Sequence, residues 1–244
     1  MPGTQLMLHC GAKEVSRSEL ATVEAPPPTR TWYPIKHSDV LDAVLETVDQ
    51  TGFAVEKMRL ALSRQGAQFF GTLDLRCPIA EGVTLAVGIR NSINQTLPLG
   101  FVAGTRVFVC DNLAFRSELL VSRKHTVNGR VRFREAIAQA VQGLETFRAV
   151  ESRRVELMRA AALNDVEAES LILRAYERRI VSHRLLPDVI RGWREPGHDD
   201  FQARTTWSLY NAFTGALADR ARSNPQQHAA LTMRLAALLT PSEN

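Results

Sequence analysis

The period at which apolar residues recur changes twice along this chain, and that change constrains the fold more than any single motif. From Ser38 to Gln50 the residues Val40, Leu41, Val44, Leu45 and Val48 fall at helical spacing. Ser38 is placed to cap this helix and Thr51-Gly52 to stop it. From Phe53 the period becomes two. Met58, Leu60 and Leu62 alternate with Lys57, Arg59 and Ala61, the pair Gln65-Gly66 offers a turn, and Phe69, Gly71, Leu73 and Leu75 resume the alternation. Pro78 is expected to close this hairpin. Further strands are predicted over Val83–Asn91, Thr105–Cys110 and Ala114–Val121, with a loop from Asn94 to Gly100.

The helical period then returns. Phe133, Ile137, Val141, Leu144 and Phe147 form one stripe, and an unbroken helix from Asn128 towards Leu163 would span roughly 50 Å at about 1.5 Å per residue. Asn164-Asp165 is expected to cap the next helix, with Leu171, Ile172, Ala175 and Tyr176 facing inward. Pro187 fits the first turn of a short helix ending near Trp193. Phe201–Arg220 forms another helix, entered through Asp199 and Asp200, and Asn224-Pro225 opens the last one.

The fold class is therefore α+β. The expected architecture is an antiparallel sheet of about five strands with an N-terminal helix, followed by a long helix and a C-terminal helical bundle. Three segments follow: an irregular stretch 1–36 that includes a short helix near Ser16–Val23 and the extended Ala25-Pro26-Pro27-Pro28, a sheet unit 37–127, and a helical unit 128–244. The last two either pair as units or form one continuous domain.

The 45% hydrophobic content is ample for a core, and no stretch reaches the roughly 18 apolar residues a membrane span requires. Cys10, Cys77 and Cys110 are odd in number and widely spaced, which points to a reducing, cytoplasmic setting. No phosphate loop, nucleophile elbow or metal-ligand spacing is present, so neither a cofactor nor a metal is expected.

Charge is the one concentrated signal. The net charge is only +4, yet Arg116, Arg123, Lys124, Arg130, Arg132 and Arg134 face a single acidic residue, Glu118, within one short segment. Such clustering is the footprint of a polyanion site. Arginine outnumbers lysine 26 to 4 along the chain, which dilutes the significance of any one arginine. If the ends of three strands share one edge of the sheet, Asn91, Ser92 and Asn94, then Asp111 and Asn112, then Arg123-Lys124-His125-Thr126 converge beside a helix N-terminus that favours anions. Turn chemistry alone also accounts for Asn, Asp and Ser at strand ends. Trp207, Tyr210 and Phe213, spaced by three, read as core rather than as a base-stacking platform.

Four segments carry a family resemblance. They are Asn91-Ser92, then Gly104-Thr105-Arg106-Val107-Phe108-Val109-Cys110-Asp111-Asn112, then Arg123-Lys124-His125-Thr126, and finally Thr206-Trp207-Ser208-Leu209-Tyr210-Asn211-Ala212-Phe213. In this order they resemble the phage/plasmid-like proteins with domain of unknown function 932. Members often follow the Asn-Ser with a short Asp-Gly turn, where this chain has Ile93-Asn94-Gln95-Thr96. The resemblance names no activity; it implies a mobile-element setting. The order helix, antiparallel sheet, long helix is also similar to that of single-strand-annealing recombinases, an analogy at the level of fold alone.

The resulting expectation is a non-enzymatic, homo-oligomeric protein that binds single-stranded nucleic acid in recombination or replication. Arg116, Arg123, Lys124, Arg130, Arg132 and Arg134 would contact phosphates, with His125 and Asn112 shaping the site. Two alternatives stand beside it. One is a module that binds a host or phage protein through an exposed apolar patch on the C-terminal helices. The other is an enzyme that gathers Asp111, Asn112 and His125 around a phosphorylated substrate.

Overall fold

A computed structural model of the chain describes residues 12–107, 112–223 and 225–241. Six strands make one antiparallel meander in sequence order: Lys13–Val15 (β1), Val55–Ser63 (β2), Gln68–Ala80 (β3), Val83–Ser92 (β4), Leu99–Val107 (β5) and Asn112–Arg123 (β6). The five expected strands are β2–β6. The sixth, β1, adds three residues to the β2 edge from a segment expected to be irregular, where Arg17–Ala21 (α1) also forms with Ser16 and Glu19 as a capping box. The hairpin turn holds Arg64, Gln65 and Gly66 at positive φ (52°, 57° and 86°), the twist that a tight β-turn requires.

The alternation read in the sequence builds one apolar face. Leu60 pairs with Gly71, Gly71 with Ile89 and Ile89 with Phe101; one row over, Met58, Leu73, Val87 and Ala103 are aligned. Helix His37–Gln50 (α2) packs on β4, and Val127–Gln142 (α3) packs on α2 and β6. The opposite face carries Arg59, Gln68, Thr72, Asp74 and Thr84, and these polar side chains are buried too. One apolar cluster runs from α2 through the sheet into the last helix, so sheet and helices share a core.

Several expectations change. Helix α2 starts at His37 with Lys36 as an uncapped N-cap, so Ser38 lies inside the first turn instead of capping it. Strand β3 continues past Pro78 to Ala80 through register shifts at Asp74 and Pro78. A proline has no N–H for the ladder, and here it bulges the strand instead of ending it. Strand β5 begins at Leu99, inside the expected loop.

The long helix is two. The regular helix is interrupted at Gly143, between α3 and Leu144–Ala160 (α4), where the Gly143 amide still donates to the Gln139 and Ala140 carbonyls. Glycine weakens a helix by about 1 kcal/mol, and the break falls where the apolar stripe changes partner: α3 faces α2 and β6, α4 faces β3 and a C-terminal helix.

Helix Asp165–Glu177 (α5) has the expected Asn164 cap, reinforced by Glu167. Its inward face is Ala168, Ile172 and Ala175, while Tyr176 is 42% exposed. Helix Leu186–Arg194 (α6) carries Pro187 in its first turn. Residues Asp199–Phe201 form a separate 3₁₀ turn, so the following helix, Thr206–Ser223 (α7), starts later than expected and Asp199 and Asp200 do not lie at its entrance. Helix Pro225–Leu239 (α8) closes the chain against β6 and α7. Trp207, Tyr210 and Phe213 are core, at 4%, 3% and 0% exposure, with the first two rings stacked 5.7 Å apart.

Candidate nucleic-acid interface

The meander brings the end of β4, the start of β5 and the end of β6 to one corner, because Arg90 pairs with Gly100 and Leu99 with Arg123. From that corner the chain passes through Lys124-His125-Thr126 into α3. Thr126 caps the helix: its hydroxyl accepts from the Gly129 amide at 3.1 Å, and its own amide donates to the Lys124 carbonyl at 2.9 Å. The first turn of α3 has no acidic residue. Its dipole therefore has no carboxylate of its own to neutralise it.

Gly129 explains how tightly this entry is wound. A Cβ there would stand 2.1 Å from the Lys124 carbonyl oxygen, so only glycine fits. The sequence shows Gly129 merely as a weak residue near a helix start.

Beneath the corner lies a buried polar node. His37, fully buried, donates from Nε2 to the Gly66 carbonyl at 2.9 Å, and its Nδ1 accepts from Asn91 Nδ2 at 2.9 Å. Asn91 Nδ2 donates its second hydrogen to the Ile35 carbonyl at 2.8 Å. Both ring nitrogens of His37 are thus used by the neutral imidazole, and burial pushes its pKa down to about 4. His125 is also buried, at 6% exposure, and desolvation lowers its pKa, partly offset by the Leu97 backbone. Its carbonyl receives the Tyr33 amide at 2.8 Å, which pins the proline-rich linker to the corner. Arg90 lies half-buried across Gly100, where desolvation lowers its pKa; a Cβ on Gly100 would meet Arg90 Nε at 2.7 Å.

The polar residues of the β4–β5 connection are used internally. Ser92 donates to the Leu97 carbonyl and accepts from the Leu97 amide, at 2.8 and 3.0 Å. Asn94 accepts from Thr96, whose hydroxyl also receives Gln68 Nε2 at 2.6 Å. Turn chemistry, the plainer of the two readings, accounts for them.

The expected three-way convergence fails at one point. Val83 pairs with Val107 and Val107 with Asn112, so Asn112 opens β6 at the far end of the sheet from Arg123. At about 3.3 Å per residue the two ends stand roughly 30 Å apart. Asp111 and Cys110 lie outside the described residues. A site joining Asn112 to His125 is therefore excluded by the antiparallel register.

The cations also divide. Arg116 pairs with Ala103 in the middle of the sheet, well short of the corner. Lys124 and Arg132 are exposed at the corner and along α3. Arg134 forms a 2.8 Å ion pair with Glu46 on α2, which offsets its charge. Arg123 and Arg130 belong to the same corner by backbone position; their side chains, with those of Arg116 and Asn112, lie outside the described residues. His125 faces inward and supports the corner from behind. The corner that remains is Arg123, Lys124, Arg130 and Arg132 around the N-terminus of α3.

Residues 28–239 match the family described as Domain of unknown function (DUF932). The chain belongs to this family. The DUF932 match covers β2–β6 and every helix from α2 to α8, so the corner and the polar node lie wholly inside the domain. No curated protein and no solved structure matches the chain. Within the DUF932 domain, no group of three His, Cys, Asp or Glu side chains among the described residues is placed to hold a metal, and no described helix is long and apolar enough to cross a membrane. Cys77 is a half-buried free thiol whose pKa is raised by burial.

Proposed function

We propose that this DUF932 protein binds single-stranded nucleic acid, without reacting with it, at the corner where β6 meets α3. The observation that carries the reading is the concentration of Arg123, Lys124, Arg130 and Arg132 within one strand end and the first two turns of one helix, with no acid in the helix's first turn. Phosphates would meet the exposed Lys124 and Arg132 and the positive end of the α3 dipole. Beneath the corner, His37 and Asn91 are tied to each other and to the Gly66 and Ile35 carbonyls, which anchors the end of β4. A role in replication or recombination of phage or plasmid DNA extends this reading through the family resemblance, not through geometry.

The double variant Lys124→Glu, Arg132→Glu is the test. Both side chains are exposed, so folding should survive. Affinity for a fluorescent single-stranded oligonucleotide at fixed salt should fall roughly tenfold or more, since each reversed charge removes one phosphate contact and adds repulsion. Arg191→Glu on α6, which leaves the corner intact, should bind as the parent does. Equal affinity of the double variant and the parent would reject the proposal.

A further inference from the structure

We infer that His37 and Asn91 form a proton-operated latch, which on acidification frees the segment 22–36 from the sheet while the rest of the fold stays intact. This segment is a strap that joins α1 to α2, and its stretch Pro26-Pro27-Pro28-Thr29-Arg30-Thr31 is exposed. Two hydrogen bonds tie it across to the sheet and to the entrance of α3. Asn91 Nδ2 donates to the Ile35 carbonyl at 2.8 Å, and the Tyr33 amide donates to the His125 carbonyl at 2.8 Å. Thr29 and Trp32 bond to each other and Lys36 pairs with Glu24, within the strap itself.

The latch arises because Asn91 Nδ2 stands between two acceptors. One of its hydrogens goes to Ile35 and the other to His37 Nδ1 at 2.9 Å, while His37 Nε2 is committed to the Gly66 carbonyl at 2.9 Å. An added proton therefore enters His37 at Nδ1, where it meets the Asn91 amide hydrogen head on. Turning the amide over relieves this, because Asn91 Oδ1 is buried without a partner of its own and can accept from the imidazolium. Oδ1 then faces the Ile35 carbonyl oxygen, two acceptors with no hydrogen between them. A hydrogen bond to an ionised group is roughly twice as strong as a neutral one, so the Ile35 bond is the one lost. A freed Ile35 carbonyl can turn to water, whereas a buried imidazolium cannot.

The groups packed around His37 set the direction. They are the Phe69 ring of β3, with centroids 5.7 Å apart, Asn91 of β4, the Gly66 carbonyl of the hairpin turn and His125 at the entrance of α3. His125 is the titratable group among them, and a charge on it would oppose a proton on His37. Lys36, next in sequence, is held by Glu24 at 2.6 Å. The latched state refuses the proton and the released state accepts it, so acid drives release. With Ile35 freed, the Tyr33–His125 bond alone remains to hold the strap. Release uncovers Pro34 and Ile35, both buried. The latch does not depend on what the α3 corner binds.

Trp32 lies half-buried in the strap, whereas Trp193 and Trp207 are 2% and 4% exposed, so acrylamide quenching of the full chain reports on the strap. Between pH 7.5 and 4.5 quenching should rise roughly twofold or more while the far-UV circular dichroism stays unchanged. His37→Gln retains a donor and an acceptor but cannot titrate, and its quenching should not change with pH. Asn91→Asp keeps an acceptor for the imidazolium and removes the donor to Ile35, so the strap should already be open at pH 7.5. A rise in quenching that comes only with loss of the dichroism signal would overturn the proposal, and that comparison needs no variant. So would an equal rise in folded His37→Gln, or a strap that stays closed in folded Asn91→Asp.

Discussion

Gly129→Ala should destabilise the protein by about 3 kcal/mol, the upper part of the usual range for forcing an extra methyl group into packed structure. The new Cβ would stand 2.1 Å from the Lys124 carbonyl oxygen, and that oxygen is fixed because it accepts from the Thr126 amide. Either α3 must move away from the end of β6 or the Thr126 cap must open. Gly215→Ala on α7 is the matched comparison. That glycine is exposed, nothing stands within 4 Å of a Cβ there, and alanine in a helix interior is favoured by roughly 0.5–1 kcal/mol. In urea unfolding the two variants should shift the midpoint in opposite directions. A Gly129→Ala midpoint equal to the parent's would mean that the tight entry is not required. Because the same movement displaces Lys124, oligonucleotide affinity should fall as well, even at temperatures where the variant stays folded.

The second large effect is on acid stability. His37 is neutral in the native state with a pKa near 4, against 6.5 for the free side chain. Above pH 6.5 both states are neutral and the group contributes no pH dependence. As pH falls below 6.5 the unfolded chain takes up a proton that the native chain refuses until about pH 4, so stability drops throughout that window. At about 1.4 kcal/mol per pKa unit the loss amounts to about 3 kcal/mol by pH 4. His125, lowered by the same burial, acts in the same direction. Urea unfolding at pH 7.5, 6 and 5 should show the decline. His37→Gln, which cannot titrate, should be less stable at pH 7.5 but show a flatter pH profile. Parallel profiles for parent and variant would contradict the assignment.

What could be read from the sequence was local. The period-two stretches specified β2–β6, because cross-strand neighbours in a meander are close in sequence and share one alternation. The Asn164 cap, Pro187 and the Gln65-Gly66 turn were equally legible, since each satisfies backbone geometry within four residues. The errors have a different origin. Gly143 breaks the long helix because the stripe changes partners there, and Tyr176 turns outward because α5 rotates onto α6 and α8; both depend on packing between distant segments. The corner at β6 and α3 was partly visible as a run of basic residues. His37 and Asn91 lie 54 positions apart, and Glu46, which offsets Arg134, lies 88 positions away. Asn112 was grouped with the wrong end of the sheet because strand direction was unknown.

The central claim is that the β6–α3 corner acts as one phosphate-binding field. Its most direct test is the salt dependence of oligonucleotide binding, followed by fluorescence anisotropy across a series of salt concentrations. Four cations on a single strand predict a log–log slope near −3, at about −0.7 per phosphate, falling to about −1.5 in the Lys124→Glu, Arg132→Glu variant. Binding that is absent at low salt, or a slope that the two substitutions leave unchanged, would contradict the account.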